Sequence, residues 1–184
     1  MMILYEKTES SFNHNGLAVL DDAVVSPVVT EQLNGLFSLE FDYPIHAKAS
    51  DKLRPEMIVK CPVPELQDQL FRIVERDDSI GGLLHIVAHH IFYDLAKNLI
   101  EDTYIVNKNG SGALTQLLGA TAVGHSFTGT SNITTVNNVR LVRLNPVEVL
   151  IDADLDNGYQ VHYGGEIVRD NFSISMLVHR GSDN

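Results

Sequence analysis

LLHIVAHHIFYDL, the stretch from Leu83 to Leu95, could form either a metal-binding helix or a structural strand, and the fold depends on which one it forms. It carries three histidines and one aspartate: His85, His89, His90 and Asp94. On a helix, a spacing of four residues places two side chains one turn apart, where they can share a metal ion. On a strand, residues four apart are separated by about 13 Å, whereas zinc needs each imidazole nitrogen at about 2.0–2.1 Å. The backbone conformation therefore decides whether this stretch can be a metal centre.

The residue types in this stretch favour a strand followed by a short helix. The apolar run around the β-branched Ile86 follows the turn signal Gly81-Gly82, which is typical of a hairpin strand. From Ile91 to Leu99 the apolar residues recur every four positions, which predicts a short amphipathic helix. The histidines of a strand would then lie too far apart to hold one ion.

The polar residues of the stretch match no catalytic motif. The zinc-peptidase motif HExxH needs a glutamate directly after its first histidine, but Ile86 follows His85 and His90 follows His89. His90 and Asp94 straddle the junction of strand and helix, so a mutual hydrogen bond and capping of the helix are both open. We predict no catalytic residue, no cofactor and no metal ligand. His85, His89, His90 and Asp94 are the cluster whose convergence on one ion would overturn this.

Outward from this stretch, the N-terminal half consists of short strand-like segments. Apolar and polar residues alternate in LFSLEFDY (Leu36–Tyr43), which predicts a strand with one buried face. Leu70–Arg76 alternates too and, across the turn at Asp77–Gly82, is expected to form a hairpin with Leu83–His89. Other strands are predicted at Met2–Glu6 and at Met57–Cys61. Val24–Val29 is β-branched but contains Pro27, which indicates either an edge strand or a bend.

The C-terminal half mixes helices with strands. One helix is predicted over Ser111–Gly119 with Ser111 as its cap, and another begins at Asn145-Pro146. Further strands are predicted at Val139–Leu144, at Tyr159–Tyr163 (YQVHY) and Glu166–Asp170 (EIVRD) as a hairpin, and at Asn171–His179.

This pattern predicts an α+β fold that is mainly antiparallel β, with two or three short inserted helices. We expect a β-rich domain at residues 1–90 and a mixed helix and strand insertion at 91–156. Residues 157–184 should form a hairpin and strand that rejoin the first domain or start another one.

Composition and charge exclude several classes of function. Of 184 residues, 44% are hydrophobic and 20% charged, so the chain can bury a core. The single cysteine, Cys61, allows no internal disulfide and has no neighbouring base. The net charge of −11 opposes sequence-independent binding of nucleic acid. We find no signal peptide and no apolar run long enough for a membrane span. Asp152, Asp154 and Asp156 fail the calcium-loop pattern at its glycine and glutamate positions.

Five strings in this order resemble the N-terminal region of one family, the phage minor structural proteins, also called prophage endopeptidase tail or tail-associated lysin proteins. The resemblance covers nearly the whole chain. The strings are TEQLNGLFSLEFDYP (Thr30–Pro44), DQLFRIVER (Asp68–Arg76), VAHHIFYDL (Val87–Leu95), NPVEVLID (Asn145–Asp152) and GGEIVRDNFSISMLVHRGSDN (Gly164–Asn184).

The resemblance implies a tail-tip or baseplate hub with β-barrel-like domains. Such a hub assembles as a homotrimeric ring that closes the tail tube, next to the distal tail protein and the tape-measure protein. The expected location is the virion tail tip, after assembly in the bacterial cytoplasm, with no membrane partner and no specific nucleic acid, because DNA only passes through. Lytic activity, where family members have it, is expected beyond residue 184, so the chain would be a fragment or a short member.

Two other functions are weighed against this one. A cell-wall hydrolase or metal-dependent endopeptidase would need the histidine cluster to converge on an ion. A carbohydrate-binding module usually relies on exposed aromatic residues, but the chain has no Trp and is only 7% aromatic.

Overall fold

The computed structural model describes residues 1–78 and 81–181, and the chain forms two units. The first unit contains Met1–Gln32 and Leu36–Ile91, and the second contains Leu33–Gly35 and Phe92–Asn184. The predicted division into domains at residues 1–90, 91–156 and 157–184 stays a prediction. The α+β class, with mostly antiparallel strands and few short helices, is confirmed.

The first unit is built on one antiparallel seven-stranded sheet that curls into a half-barrel. Its strands are β1 (Ile3–Tyr5), β2 (Ala18–Val19), β3 (Val25–Glu31), β4 (Phe37–Pro44), β5 (Ile58–Pro62), β6 (Asp68–Asp78) and β7 (Leu83–His90). The order across the sheet is β2-β1-β5-β6-β7-β4-β3, so β2 and β3 are its edges. A 3₁₀ helix, Ser50–Lys52, lies between β4 and β5.

Alternation of apolar and polar residues produces the central strands of this sheet, as predicted. Phe37, Leu39, Phe41 and Tyr43 of β4 are all buried, and so is every second residue of β7 from Leu84. The predicted β6–β7 hairpin and the edge position of β3 are confirmed. Ser79 and Ile80, in the predicted hairpin turn, lie outside the described residues.

The second unit contains two small sheets and three α-helices. The 3₁₀ helix Ile91–Lys97 lies at its start, with all of its residues except Ile91 inside the unit. Its elements are β8 (Ile100–Lys108), α1 (Gly110–Gly119), β9 (Thr128–Ser131), β10 (Asn137–Leu144), α2 (Pro146–Ile151), α3 (Tyr159–Tyr163), β11 (Glu166–Asp170) and β12 (Ser173–Leu177). β8 and β10 form an antiparallel ribbon, and β12 lies between the antiparallel β11 and the parallel β9.

Helix α1 packs its apolar face into the core of this unit. Leu114, Leu117 and Leu118 are buried there. Strand β9 approaches the helix so closely that a Cβ atom on Gly129 would lie 2.6 Å from Leu114 Cγ, inside the contact distance. Glycine at position 129 is therefore required by packing.

Leu33–Gly35, the segment between β3 and β4, belongs to the second unit and is held there by residues of β11. Asn34, whose φ of 50° is tolerated by asparagine, accepts a hydrogen bond from Ile167 N–H on Oδ1 at 2.8 Å. The fully buried Arg169 donates from Nη1 to the carbonyl of Gly35. Both hydrogen bonds lie within the second unit and join its two separate segments of chain.

The YQVHY segment is a helix, not the predicted hairpin strand. Tyr159 and Tyr163 are both buried, whereas Val161 between them is 52% exposed, which is the pattern of positions i and i+4 on a helix. Gly164 ends the helix with a φ of 67°. The hairpin at the C-terminal end is formed by β11 and β12 instead.

Two other local predictions are corrected, and one strand was missed. Asn109, not Ser111, caps α1, because its side chain accepts from Gly112 N–H at 3.0 Å. The predicted amphipathic helix is the 3₁₀ helix Ile91–Lys97, and Leu99 lies beyond it and is 41% exposed. Strand β8 was not predicted, because only Ile100 and Ile105 of its nine residues are buried. The helix start at Asn145-Pro146 is confirmed.

Candidate functional site

The histidine-rich stretch is the pleated strand β7, with its histidines on both faces of the sheet. The stretch alternates between half-buried and buried residues, which places His85 and His89 on one face and His90 on the other. Asp94 lies on the following 3₁₀ helix, where its carboxylate is 4.0 Å from Lys97 Nζ. The strand conformation predicted for residues 83–89 is confirmed.

His85 forms an ion pair with a carboxylate on the neighbouring strand. Asp42 of β4 is directly opposite His85 in the register, and His85 Nδ1 donates to Asp42 Oδ1 at 2.8 Å. That hydrogen bond raises the pKa of His85 above its ordinary value, and the negative charges of Asp42, Glu40 and Asp77 add to the effect. The side chain is 44% exposed, so the pair is a surface feature of the sheet.

His90 belongs to the hydrophobic core of the first unit. It is fully buried, and its Nε2 donates to Gln69 Oε1 at 3.0 Å. Its ring stacks on Phe37 with centroids 4.5 Å apart and an interplanar angle of 9°, and Phe71 meets it edge-on at 5.6 Å. An imidazole with these neighbours stabilises the strand and is shielded from any ligand in solvent.

The candidate cluster is thus distributed over two faces and two elements. Within residues 1–78 and 81–181, no group of three or more His, Cys, Asp or Glu side chains is arranged to hold a metal ion. The absence of a catalytic residue, a cofactor and a metal ligand stays a prediction.

Two other candidates from the sequence, Cys61 and the acidic segment at Asp152, have structural surroundings that explain them. Cys61 is buried, and burial raises the pKa of its thiol to about 11, which opposes formation of a nucleophilic thiolate near neutral pH. Asp152 Oδ1 accepts from Asp154 N–H at 2.9 Å, which closes a turn after α2.

An open hollow of about 490 Å³ in the second unit is lined by α1 and the chain before β9. Its histidine, His125, uses both ring nitrogens for the backbone. Nε2 donates to Leu118 O at 3.1 Å, and Nδ1 accepts from Phe127 N–H at 3.1 Å. This histidine fastens the end of α1 to the following segment.

The β8–β10 ribbon presents apolar side chains to solvent. The residues Ile105, Val139 and Leu141 of one face are buried in the core. The opposite face, which we call the ribbon face, exposes three large apolar side chains: Tyr104 at 59%, Val106 at 50% and Val142 at 44%. Sequence reasoning missed this surface because it missed β8, although Asp102, Tyr104 and Val106 alternate with Thr103 and Ile105.

An ion pair crosses the ribbon face. Arg140 is opposite Tyr104 in the register, and its Nη2 donates to Asp102 Oδ2 at 2.6 Å while Nε donates to Oδ1 at 3.0 Å. This bidentate hydrogen bonding lowers the pKa of Asp102 and raises that of Arg140. The pair keeps the ribbon face locally uncharged.

No helix in the described part of the chain is long and apolar enough to cross a membrane.

Comparisons with known proteins show similarity at the level of the fold. No protein-family model matches the sequence, and no curated protein matches it. Among solved structures, the chain is similar to the prophage tail protein gp18 from Listeria monocytogenes EGD-e, with a TM-score of 0.60 and 16% sequence identity. The aligned part covers 96% of this chain and 50% of that protein, so the chain spans half of its length. At this level of identity, the similarity to the prophage tail protein shows that the two chains share a fold.

Proposed function

We propose that this protein is a structural component of the tail of a phage or prophage. The observation that carries the proposal is the similarity in fold to a prophage tail protein over 96% of the chain. The ordered set of sequence strings that resemble the phage minor structural proteins supports the same assignment. Because one fold can serve several functions, the location of the protein in a virion needs a direct test.

Within that role, we propose a hub at the tail tip or baseplate that closes the tail tube. The hub is a homotrimer, assembled in the host cytoplasm, that contacts the distal tail protein and the tape-measure protein. A net charge of −11 suits a ring through which DNA passes without being held, because few phosphates would be neutralised by the protein. A strongly basic lumen in an assembled trimer would contradict this part.

The alternative function, a cell-wall hydrolase or metal-dependent endopeptidase, has no specific observation in its favour. The histidines it would use are a surface ion pair in the case of His85 and a buried core residue in the case of His90.

Labelling of tails tests the proposal directly. Antibodies against the 184-residue chain are applied to particles produced from the same genome, and gold-labelled second antibodies are located by negative-stain electron microscopy. We expect label at the tail tip, with none along the tail tube or on the capsid. Particles that never carry the label would overturn the structural role, and label on another part of the tail would overturn the hub.

A further inference from the structure

The ribbon face is an apolar surface feature that is exposed in the described part of the chain. Tyr104, Val106 and Val142 all project from one side of the β8–β10 ribbon, and each is at least 44% exposed. Exposed apolar side chains that stand singly need no explanation, but three neighbouring ones on a regular sheet are typical of a contact surface. Burying them against a partner would remove apolar area from water and favour association.

The outer edge of β10 is also open. Between Val139 and Leu144, the described backbone hydrogen bonds are those of the ladder with β8. A partner that packs against the ribbon face would therefore meet unpaired backbone groups beside the apolar side chains. The bulge at Asn137–Val139 and the positive φ of Arg143 limit the length of regular edge to a few residues.

Charge identifies the partner. The chain carries 24 acidic and 13 basic residues, so two copies repel each other over most of their surface. The ribbon is an exception: Ile100–Val106 contributes two acidic residues, Glu101 and Asp102, and Val139–Leu144 contributes two basic ones, Arg140 and Arg143. Two acidic and two basic side chains leave this segment neutral. A neutral apolar face on an acidic chain is where a second copy can approach with the least local charge repulsion.

We infer that the ribbon face is the surface through which this chain contacts a second copy of itself. The inference rests on the proposed self-assembling tail protein and assigns a surface to that self-association. Tyr104 and Val142 supply the buried apolar area, and the Asp102–Arg140 pair supplies local charge balance. The face is small and its edge is short, so association of the isolated chain is expected to depend on concentration.

Sedimentation velocity over a concentration series tests the inference with matched variants. Val142→Glu places a charge on the ribbon face, and Val178→Glu makes the same change after β12, at a valine that is 57% exposed compared with 44% for Val142. We expect Val142→Glu to weaken self-association at least tenfold, which corresponds to about 1.4 kcal/mol or more. Val178→Glu should associate as the wild-type chain does. Circular dichroism checks that both variants are folded.

A charge series provides a second, independent test. Arg140→Glu makes the ribbon acidic and should weaken association, whereas the swap Asp102→Arg with Arg140→Asp keeps it neutral and should restore most of it. Association that is equally strong in Val142→Glu, Arg140→Glu and the wild-type chain would overturn the ribbon face while leaving the hub proposal intact. A wild-type chain that stays monomeric at every concentration, alone and when co-expressed with its tail neighbours, would instead count against the proposed self-assembly itself.

Discussion

Replacing His90 with leucine tests whether the histidine-rich strand is scaffold. His90→Leu removes the hydrogen bond to Gln69 and the stack on Phe37 inside the core of the first unit. A buried acceptor that loses its donor costs about 1–3 kcal/mol. Loss of the aromatic stack costs about 0.5–1.5 kcal/mol. The expected loss in the free energy of unfolding is therefore about 1.5–4.5 kcal/mol, since leucine fills a similar volume.

Urea unfolding followed by circular dichroism measures this loss. With an m-value of about 2 kcal/mol per molar, the unfolding midpoint of His90→Leu should fall by roughly 1–2 M. His89→Leu, the same substitution on the opposite face of the strand, should shift the midpoint far less, because that side chain is only half-buried. In the double variant Gln69→Leu with His90→Leu, both partners are apolar, so part of the stability should return.

Two results would refute the scaffold role of His90. One is a midpoint for His90→Leu within experimental error of the wild-type value. The other is a wild-type chain that a metal chelator destabilises to the level of the variant, because a scaffold histidine holds no metal ion whose removal would weaken the fold.

Three further predictions concern other sites. Gly129→Ala should destabilise the second unit by about 1–3 kcal/mol through overpacking. Gly119→Ala, where an added Cβ meets open space, should instead stabilise α1 by about 0.4–1 kcal/mol. Chemical denaturation compares the two variants, and equal shifts in the unfolding midpoint would contradict the packing argument. The raised pKa of His85 means that its ion pair with Asp42 stabilises the fold fully below the ordinary histidine pKa and is lost as the pH rises through the raised value. An NMR titration should show the pKa of His85 falling toward the ordinary value in Asp42→Asn, and an unchanged pKa would contradict the assignment of the cause. Cys61 should react with a thiol reagent far more slowly in the native chain than in urea, because it is buried with a pKa of about 11; fast native labelling would disprove its burial.

Strands with strict alternation were predictable because one side of each strand is buried in a single unit. LFSLEFDY and LLHIVAHH became β4 and β7, and the edge position of β3 followed from Pro27, which cannot donate to a ladder. The Asn145-Pro146 helix start was equally clear, since the cap residue and the first helical residue are both specified locally.

One error arose because the sequence pattern of a segment fitted both the two-residue period of a strand and the period of a helix. YQVHY alternates apolar and polar residues as a strand does, but its two tyrosines also lie four apart, and burial in the core selected the helix. Strand β8 exposes most of its residues, so its sequence lacks the apolar alternation that marks a buried face. The ribbon face depends on β8 and was therefore not predicted from the sequence. The distance between His85 and His89 on a strand could be predicted, because it follows from their spacing in the sequence.

The hydrogen bonds that hold Leu33–Gly35 in the second unit have a consequence for synthesis of the chain and for fragments of it. Asn34 is synthesised early, and its hydrogen-bond partner Ile167 follows more than 130 residues later. Residues 92–184 alone therefore lack part of the second unit, because Leu33–Gly35 also belongs to it. A fragment that begins at Phe92 would leave the Ile167 amide without Asn34 and Arg169 without the Gly35 carbonyl. Adding a short peptide that contains Leu33–Gly35 should therefore stabilise such a fragment against unfolding.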